Sequence, residues 1–210
     1  TLRKGHMKFH WFKKKPPFSI RFMDLMLTYL CNADCFFCVA HNNLPTMIDF
    51  MSFERLARNA HIETIEELVL TGGEPTIVKD FEKNLHYAYD KYPQMKIRVI
   101  TNAIYMPERI MDTLLLGNVA SVHVSINASN PVTYKEIMRR DKFDTVASNI
   151  ARLIRKRKAS TPVVLGSLVL VKENVNDILT FIYLGKELGL DSLAFLQADR
   201  KRSRLNSSHT

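Results

Sequence analysis

The stretch IRFMDLMLTYLCNADCFFC, residues 20 to 38, decides how the rest of the chain is read. Its first eleven residues are mostly apolar and read as a strand over 20–30. That strand runs directly into a loop holding all three cysteines of the chain, Cys31, Cys35 and Cys38. A disulfide framework does not fit, because stapled secreted domains are short, cysteine-dense and usually even in count. A structural zinc site wants four ligands, and the nearest fourth candidate is His41. An iron–sulfur cluster is the third account, since thiolates bind such clusters. Three thiolates would hold three irons of a [4Fe–4S] cluster and leave the fourth iron open to chemistry.

Outward from this loop the chain alternates strand and helix. Strands are expected at 66–75, 96–103, 121–129, 162–171 and 191–197. Helices are expected at 52–62, with Ser52 as N-cap, and at 80–92, 107–117, 131–139, 144–158 and 174–189. The helix beginning at 144 either continues or follows the one before it. Such alternation implies parallel βαβ units, arranged as a doubly wound sheet or a partial (β/α)6 TIM-like barrel. Both architectures bind ligands at the carboxyl ends of the strands. The polar signals sit there: the cysteine loop after the first strand, TGGEP (71–75) after the second, TNA (101–103) after the third and SINAS (125–129) at the fourth.

Length, 210 residues, suits one domain, and 46% hydrophobic with 24% charged residues is ordinary for a soluble globular chain. No apolar run approaches the roughly 20 residues of a membrane span. The start, TLRKGHMKFHWFKKKPP, has no apolar signal-peptide region, so a reducing cytoplasmic setting is expected. The formal charge of +9 raises nucleic acid as a partner. Its distribution argues against that: it gathers in residues 1–21, at the helix end RKRK (155–158) and in the tail DRKRSRLNSSHT (199–210). That tail resembles a translated frame of a sequencing-library adapter, DRKSTRLNSSH. A non-native, disordered tail over 199–210 and a gene continuing past Ala198 are therefore expected. The chain starts at Thr1, so a cut N-terminus is expected too.

CNADCFFC after the first strand and TGGEP after the second resemble the radical S-adenosylmethionine (radical SAM) superfamily, whose cluster motif is C-x3-C-x2-C with an aromatic residue before the third cysteine. The resemblance covers roughly residues 20–197, making 20–198 the core domain after a basic segment at 1–19. It implies an α/β partial barrel, truncated at its carboxyl end, that binds a [4Fe–4S] cluster on Cys31, Cys35 and Cys38. The amino and carboxylate groups of S-adenosylmethionine would chelate the open iron. Reductive cleavage would then yield a 5′-deoxyadenosyl radical that abstracts hydrogen from a substrate. The resemblance further implies cofactor contacts from Gly72, Gly73, Glu74 and Pro75 to the methionine amino group, and from Ser125 and Asn127 to ribose. It adds Asn102 after the third strand, Phe37 beside adenine, and Arg139, or its neighbour Arg140, at the methionine carboxylate. Gly73→Val is expected to weaken S-adenosylmethionine binding while sparing iron content. VSINASNPVTYKEIMR with FDTVASNIARLI resembles members that carry a SPASM or twitch extension, which modify peptides and proteins or build cofactors. A peptide or cofactor-precursor substrate and an electron donor such as flavodoxin or ferredoxin are implied. Two other readings stand beside this one: a non-catalytic zinc module using His41, and an RNA-modifying radical SAM enzyme drawing on the basic N-terminus.

Overall fold

A computed structural model describes residues 21–38, 46–59 and 62–198. The strands are β1 (Phe22–Met26), β2 (Glu67–Thr71), β3 (Lys96–Thr101), β4 (Val119–Ser125), β5 (Val163–Leu170) and β6 (Ser192–Gln197). The helices are α1 (Phe50–Asn59), α2 (Phe81–Lys91), α3 (Glu108–Leu114), α4 (Pro131–Met138), α5 (Phe143–Lys156) and α6 (Ile178–Leu188). All six strands pair in parallel, in the order β1-β2-β3-β4-β5-β6. A doubly wound sheet reverses its strand order at a switch point. Here the order is strictly sequential. With right-handed crossovers, that puts every helix on one face and gives an open partial barrel.

Alternation along each strand divides the two faces. Leu68, Leu70, Ile97, Val99, Val122 and Val124 are fully buried on the helix side. Each such side chain contributes about 1.5–3 kcal/mol on burial. The helices pack consecutively over them, α1 on α2, α2 on α3, α4 on α5 and α5 on α6. On α5 the buried set Val146, Asn149, Ile150 and Leu153 follows the helical period and fixes which side faces the sheet.

Two local expectations are corrected and one left open is settled. The first strand ends at Met26, four residues before the expected end. Thr28 instead bridges antiparallel to Met47, and Tyr29 N donates to the carbonyl of Thr46. Helix α1 begins before Ser52, because Asp49 Oδ1 accepts from Ser52 N at 2.8 Å and caps the helix from there. The expected helices at 131–139 and 144–158 are separate: Arg139, at φ 51° and ψ 34°, ends α4 in the left-handed region. At the start of α4, Asn130 accepts from Thr133 N at 2.9 Å and Pro131 occupies the first turn. Residues 1–20, His41 and the tail from 199 lie outside the described residues. No helix among those described is long and apolar enough to cross a membrane.

Candidate active site

The loop after β1 is held in place from two sides. From below, the turn after β2 docks on it: Gly73 N donates to the Thr28 carbonyl at 2.6 Å and Glu74 N to the Leu30 carbonyl at 2.8 Å. Neither glycine has room for a side chain. A Cβ on Gly72, whose φ is 138°, would lie 2.4 Å from Thr28 O, and one on Gly73 would lie 2.1 Å from Leu30 O. The glycines therefore serve a backbone-to-backbone approach inside the protein. From the side, α4 offers its last carbonyls, which have no partner within the helix. Asp34 N donates to Met138 O at 3.1 Å and Phe36 N to Ile137 O at 3.2 Å. Arg140 Nε adds a bond to the Asn32 carbonyl at 3.0 Å.

So held, Cys31, Cys35 and Cys38 all line one cavity of about 170 Å³ at the carboxyl end of the sheet. Its walls include Gly72, Gly73, Asn102, Ser125, Asn127 and Phe37. Phe37 also borders a wider apolar cleft of about 580 Å³ with Phe36, Leu170, Val171 and Val175. Burial pushes the Cys35 thiol up to about 12, with charge at Cys38 and Cys31 adding to the shift. Burial also raises the Cys31 thiol, against the opposing pull of the Ala33 N–H. Cys31 and Cys35, buried side by side, resist ionising without a cation between them. That donor set fits an iron–sulfur cluster, whose metal charge offsets the crowding. Cys31, Cys35 and Cys38 would hold it.

The other expected residues divide. Gly72, Gly73, Asn102, Ser125, Asn127 and Phe37 reach the cavity; Glu74, Pro75 and Arg139 do not line it. Glu74 is fully buried. Its Oε1 accepts from Thr76 N (3.1 Å), Thr76 Oγ1 (2.7 Å) and Thr101 Oγ1 (2.7 Å), and its Oε2 from Asn102 N (2.7 Å). Burial raises its pKa against the pull of those donors, the Asn102 N–H foremost. Its carboxylate is thus spent tying the β2 turn to the end of β3. Pro75 is buried in a short 3-10 turn. Arg139 is an exposed helix terminus, and its neighbour Arg140 is the one that reaches the cysteine loop. Asn127, at φ 62°, bonds Val169 N through Oδ1 at 3.0 Å and directs Nδ2 toward Met138 Sδ at 3.3 Å.

Met138, Thr71, Ile100 and Val169 line the cavity without having been singled out in the sequence. Met138 Sδ lies 3.3 Å from Cys35 Sγ. An apolar residue at the end of an amphipathic helix carries no signal separating it from core. Asn174 is also new: fully buried, it donates to the carbonyls of Asn127 (3.0 Å) and Val169 (2.9 Å) and so steadies that rim.

An open parallel α/β barrel with three thiols in the loop after its first strand, facing the carboxyl rim, defines a cofactor-binding enzyme core. The sequence matches the profile of the Radical SAM superfamily over residues 25–184, and the chain belongs to that superfamily. Its members bind a [4Fe–4S] cluster and S-adenosylmethionine. Among curated proteins the chain is 28% identical over 193 residues to molybdenum cofactor biosynthesis protein moc-5 of Caenorhabditis elegans, covering 85% of this chain and 31% of that protein. It is 26% identical over 180 residues to a probable GTP 3',8-cyclase of Saccharolobus islandicus, covering 83% of this chain and 56% of that protein. The chain thus spans 31% of the length of the first of these relatives and 56% of the second. Among solved structures, Streptococcus suis SuiB bound to the precursor peptide SuiA superposes with a TM-score of 0.73 at 17% identity, over 85% of this chain and 39% of SuiB. At that identity the likeness is one of fold.

Proposed function

We propose that residues 20–198 are a catalytic core that carries a [4Fe–4S] cluster on Cys31, Cys35 and Cys38 and cleaves S-adenosylmethionine reductively. The reaction served is hydrogen-atom abstraction from a peptide, protein or cofactor-precursor substrate. The observation that carries this reading is the meeting of all three thiols with Gly72, Gly73, Ser125 and Asn127 around one cavity. When bound, the cluster supplies the electron that breaks the C5′–S bond and frees a 5′-deoxyadenosyl radical.

The chain's own residues bind, orient and shield. Gly72 and Gly73 bring bare backbone to the cavity wall, suited to the methionine end of S-adenosylmethionine. Ser125 and Asn127, at the end of β4, present polar groups suited to ribose. Phe37 lines both this cavity and the wider cleft, where a substrate would meet the radical. A cofactor-precursor substrate is favoured by the sequence likeness to the molybdenum cofactor biosynthesis protein moc-5. A flavodoxin or ferredoxin in a reducing cytoplasm would supply the electron.

The test is anaerobic reconstitution of the chain with iron and sulfide. About four irons per chain and production of 5′-deoxyadenosine on reduction with S-adenosylmethionine are expected. Alanine at any one of the three cysteines should abolish both. A chain that takes up one zinc and no cluster would overturn the reading.

A further inference from the structure

The three thiols are not held alike. Cys31 Sγ accepts two N–H groups, from Ala33 N at 3.4 Å and from Asn102 Nδ2 at 3.5 Å. Cys35 Sγ instead lies against Met138 Sδ, a thioether with no proton to give. The Asn102 carboxamide is fixed by its other partners. Nδ2 also donates to Asn32 Oδ1 at 2.7 Å, and Oδ1 accepts from Ile104 N at 2.9 Å. A backbone N–H can only donate, so the amide cannot flip without losing that bond. The Asn102 backbone is pinned in turn, because its N–H donates to the buried Glu74 carboxylate at 2.7 Å. A continuous set of bonds therefore runs from the turn after β2, through the end of β3, to the first cysteine.

We propose that Asn102, anchored by Glu74, is a positioning residue that sets the electron affinity of the cluster through Cys31. The inference rests on the cluster reading given above. Hydrogen bonds to ligand sulfur are one of the terms that set the potential of an iron–sulfur centre. An N–H aimed at Cys31 stabilises the extra negative charge of the reduced state more than the oxidised one. Asn102 thus makes the centre easier to reduce, and Glu74 acts only by holding Asn102 where it can do so. Outer groups of this kind, which orient ligands and tune the metal without touching it, matter nearly as much as the ligands. This assigns Asn102 a partner different from S-adenosylmethionine, and Glu74 a task inside the protein.

The experiment compares the reconstituted wild-type chain with Asn102→Ala, Asn102→Asp, Glu74→Gln and the Glu74→Gln/Asn102→Ala double variant. Iron and sulfide content and the midpoint potential, followed by the spectrum of the reduced cluster, are the readouts; neither depends on turnover. Asn102→Ala is expected to retain the cluster at a more negative potential. Asn102→Asp keeps an oxygen for Ile104 N, preserving the turn, and adds charge in place of the donor, so its potential should fall further. Glu74→Gln should shift the potential the same way but less, and the double variant should match Asn102→Ala alone, because both act through one bond. Val132→Ala, on the exposed face of α4, should leave the potential unchanged. A wild-type chain that takes up no iron would overturn the cluster reading and this inference with it. A loaded wild-type chain whose potential is matched by both Asn102 variants would overturn this inference alone.

Discussion

The amide nitrogen of Gly73 lies 2.6 Å from the carbonyl oxygen of Thr28, and a side chain on Gly73 would collide with the carbonyl of Leu30, the residue before the first cysteine. The turn after β2 and the cysteine loop are therefore one packed unit. From sequence, Gly73→Val is expected to weaken S-adenosylmethionine binding and leave iron untouched. The geometry argues against the second half of that expectation. Its added atoms meet backbone, which cannot swing aside, so the 28–31 segment must move. Gly73→Val should lose most iron uptake on reconstitution, together with S-adenosylmethionine binding. Iron content equal to wild type, with only S-adenosylmethionine affinity lowered, would restore the earlier view. Gly73→Ala, with the same first clash, should share the defect.

Where sequence reasoning succeeded, the signal was local. The helices expected at 131–139 and 174–189 are bounded by Pro131 and Gly189, residues that lie inside the segments they control. The cysteine spacing is likewise local. The misreadings come from contacts distant in sequence. Residues 27–30 look like strand, yet their backbone pairs with 46–48 and 71–74. Glu74 stands beside a glycine pair that reaches the cavity, but Thr101 and Asn102, 27 and 28 residues away, claim its carboxylate. Met138 touches Cys35 across 103 residues. None of these pairings leaves a mark on the pattern of one chain.

Arg139 and Arg140 are separable by a second substitution. Arg139 adopts a left-handed backbone that costs a non-glycine residue roughly 1–2 kcal/mol, while glycine gives back about 0.4–1 kcal/mol in unfolded-chain entropy. Arg139→Gly should therefore raise stability by about 0.5 kcal/mol in chemical denaturation and leave iron content unchanged. If Arg139 gripped the methionine carboxylate, the same variant would lose S-adenosylmethionine affinity; the geometry predicts no loss. Arg140→Ala, which removes the bond to Asn32 O, should instead speed loss of iron to a chelator.

Tyr134 tests packing behind the loop. It is fully buried, and its hydroxyl has no hydrogen-bond partner among the described residues. It lies one turn before Met138, on the helix face that meets the cysteine loop. Burial raises its pKa, and the nearby Cys35 and Cys31 add to the shift. An unmet buried hydroxyl costs about 1–3 kcal/mol in desolvation. Tyr134→Phe keeps the ring contact with Phe143 and removes that cost. The metal-free chain should be unchanged or more stable by up to roughly 1–3 kcal/mol in urea. A loss of stability would mean that the hydroxyl has a partner, such as a buried water.

The junction of α5 with β5 and β6 gives a pH prediction. Asp191 pairs in fork fashion with Arg157, and its Oδ2 also accepts from Val164 N at 2.7 Å. Arg157 Nη1 donates in addition to the Pro162 carbonyl at 2.7 Å. The pair closes the loop between α5 and β5 onto the start of β6, and only 11% of the Arg157 side chain is exposed. The hydrogen bond from Arg157 holds the Asp191 carboxyl below its ordinary pKa. A depressed carboxylate means that the unfolded chain binds the proton first as pH falls. The stabilisation is therefore full above the ordinary aspartate value, near 3.9, and drains away as pH drops through that value toward the folded one. Asp191→Asn should lower stability at pH 7 by on the order of 1–3 kcal/mol, since it strips a charged partner from a mostly buried guanidinium. Its stability should then fall less steeply than wild type between about pH 5 and pH 2. Urea denaturation across that range measures both effects. An acid limb of identical slope in the two proteins would show that Asp191 titrates the same folded and unfolded, and that the pair adds nothing to the seam.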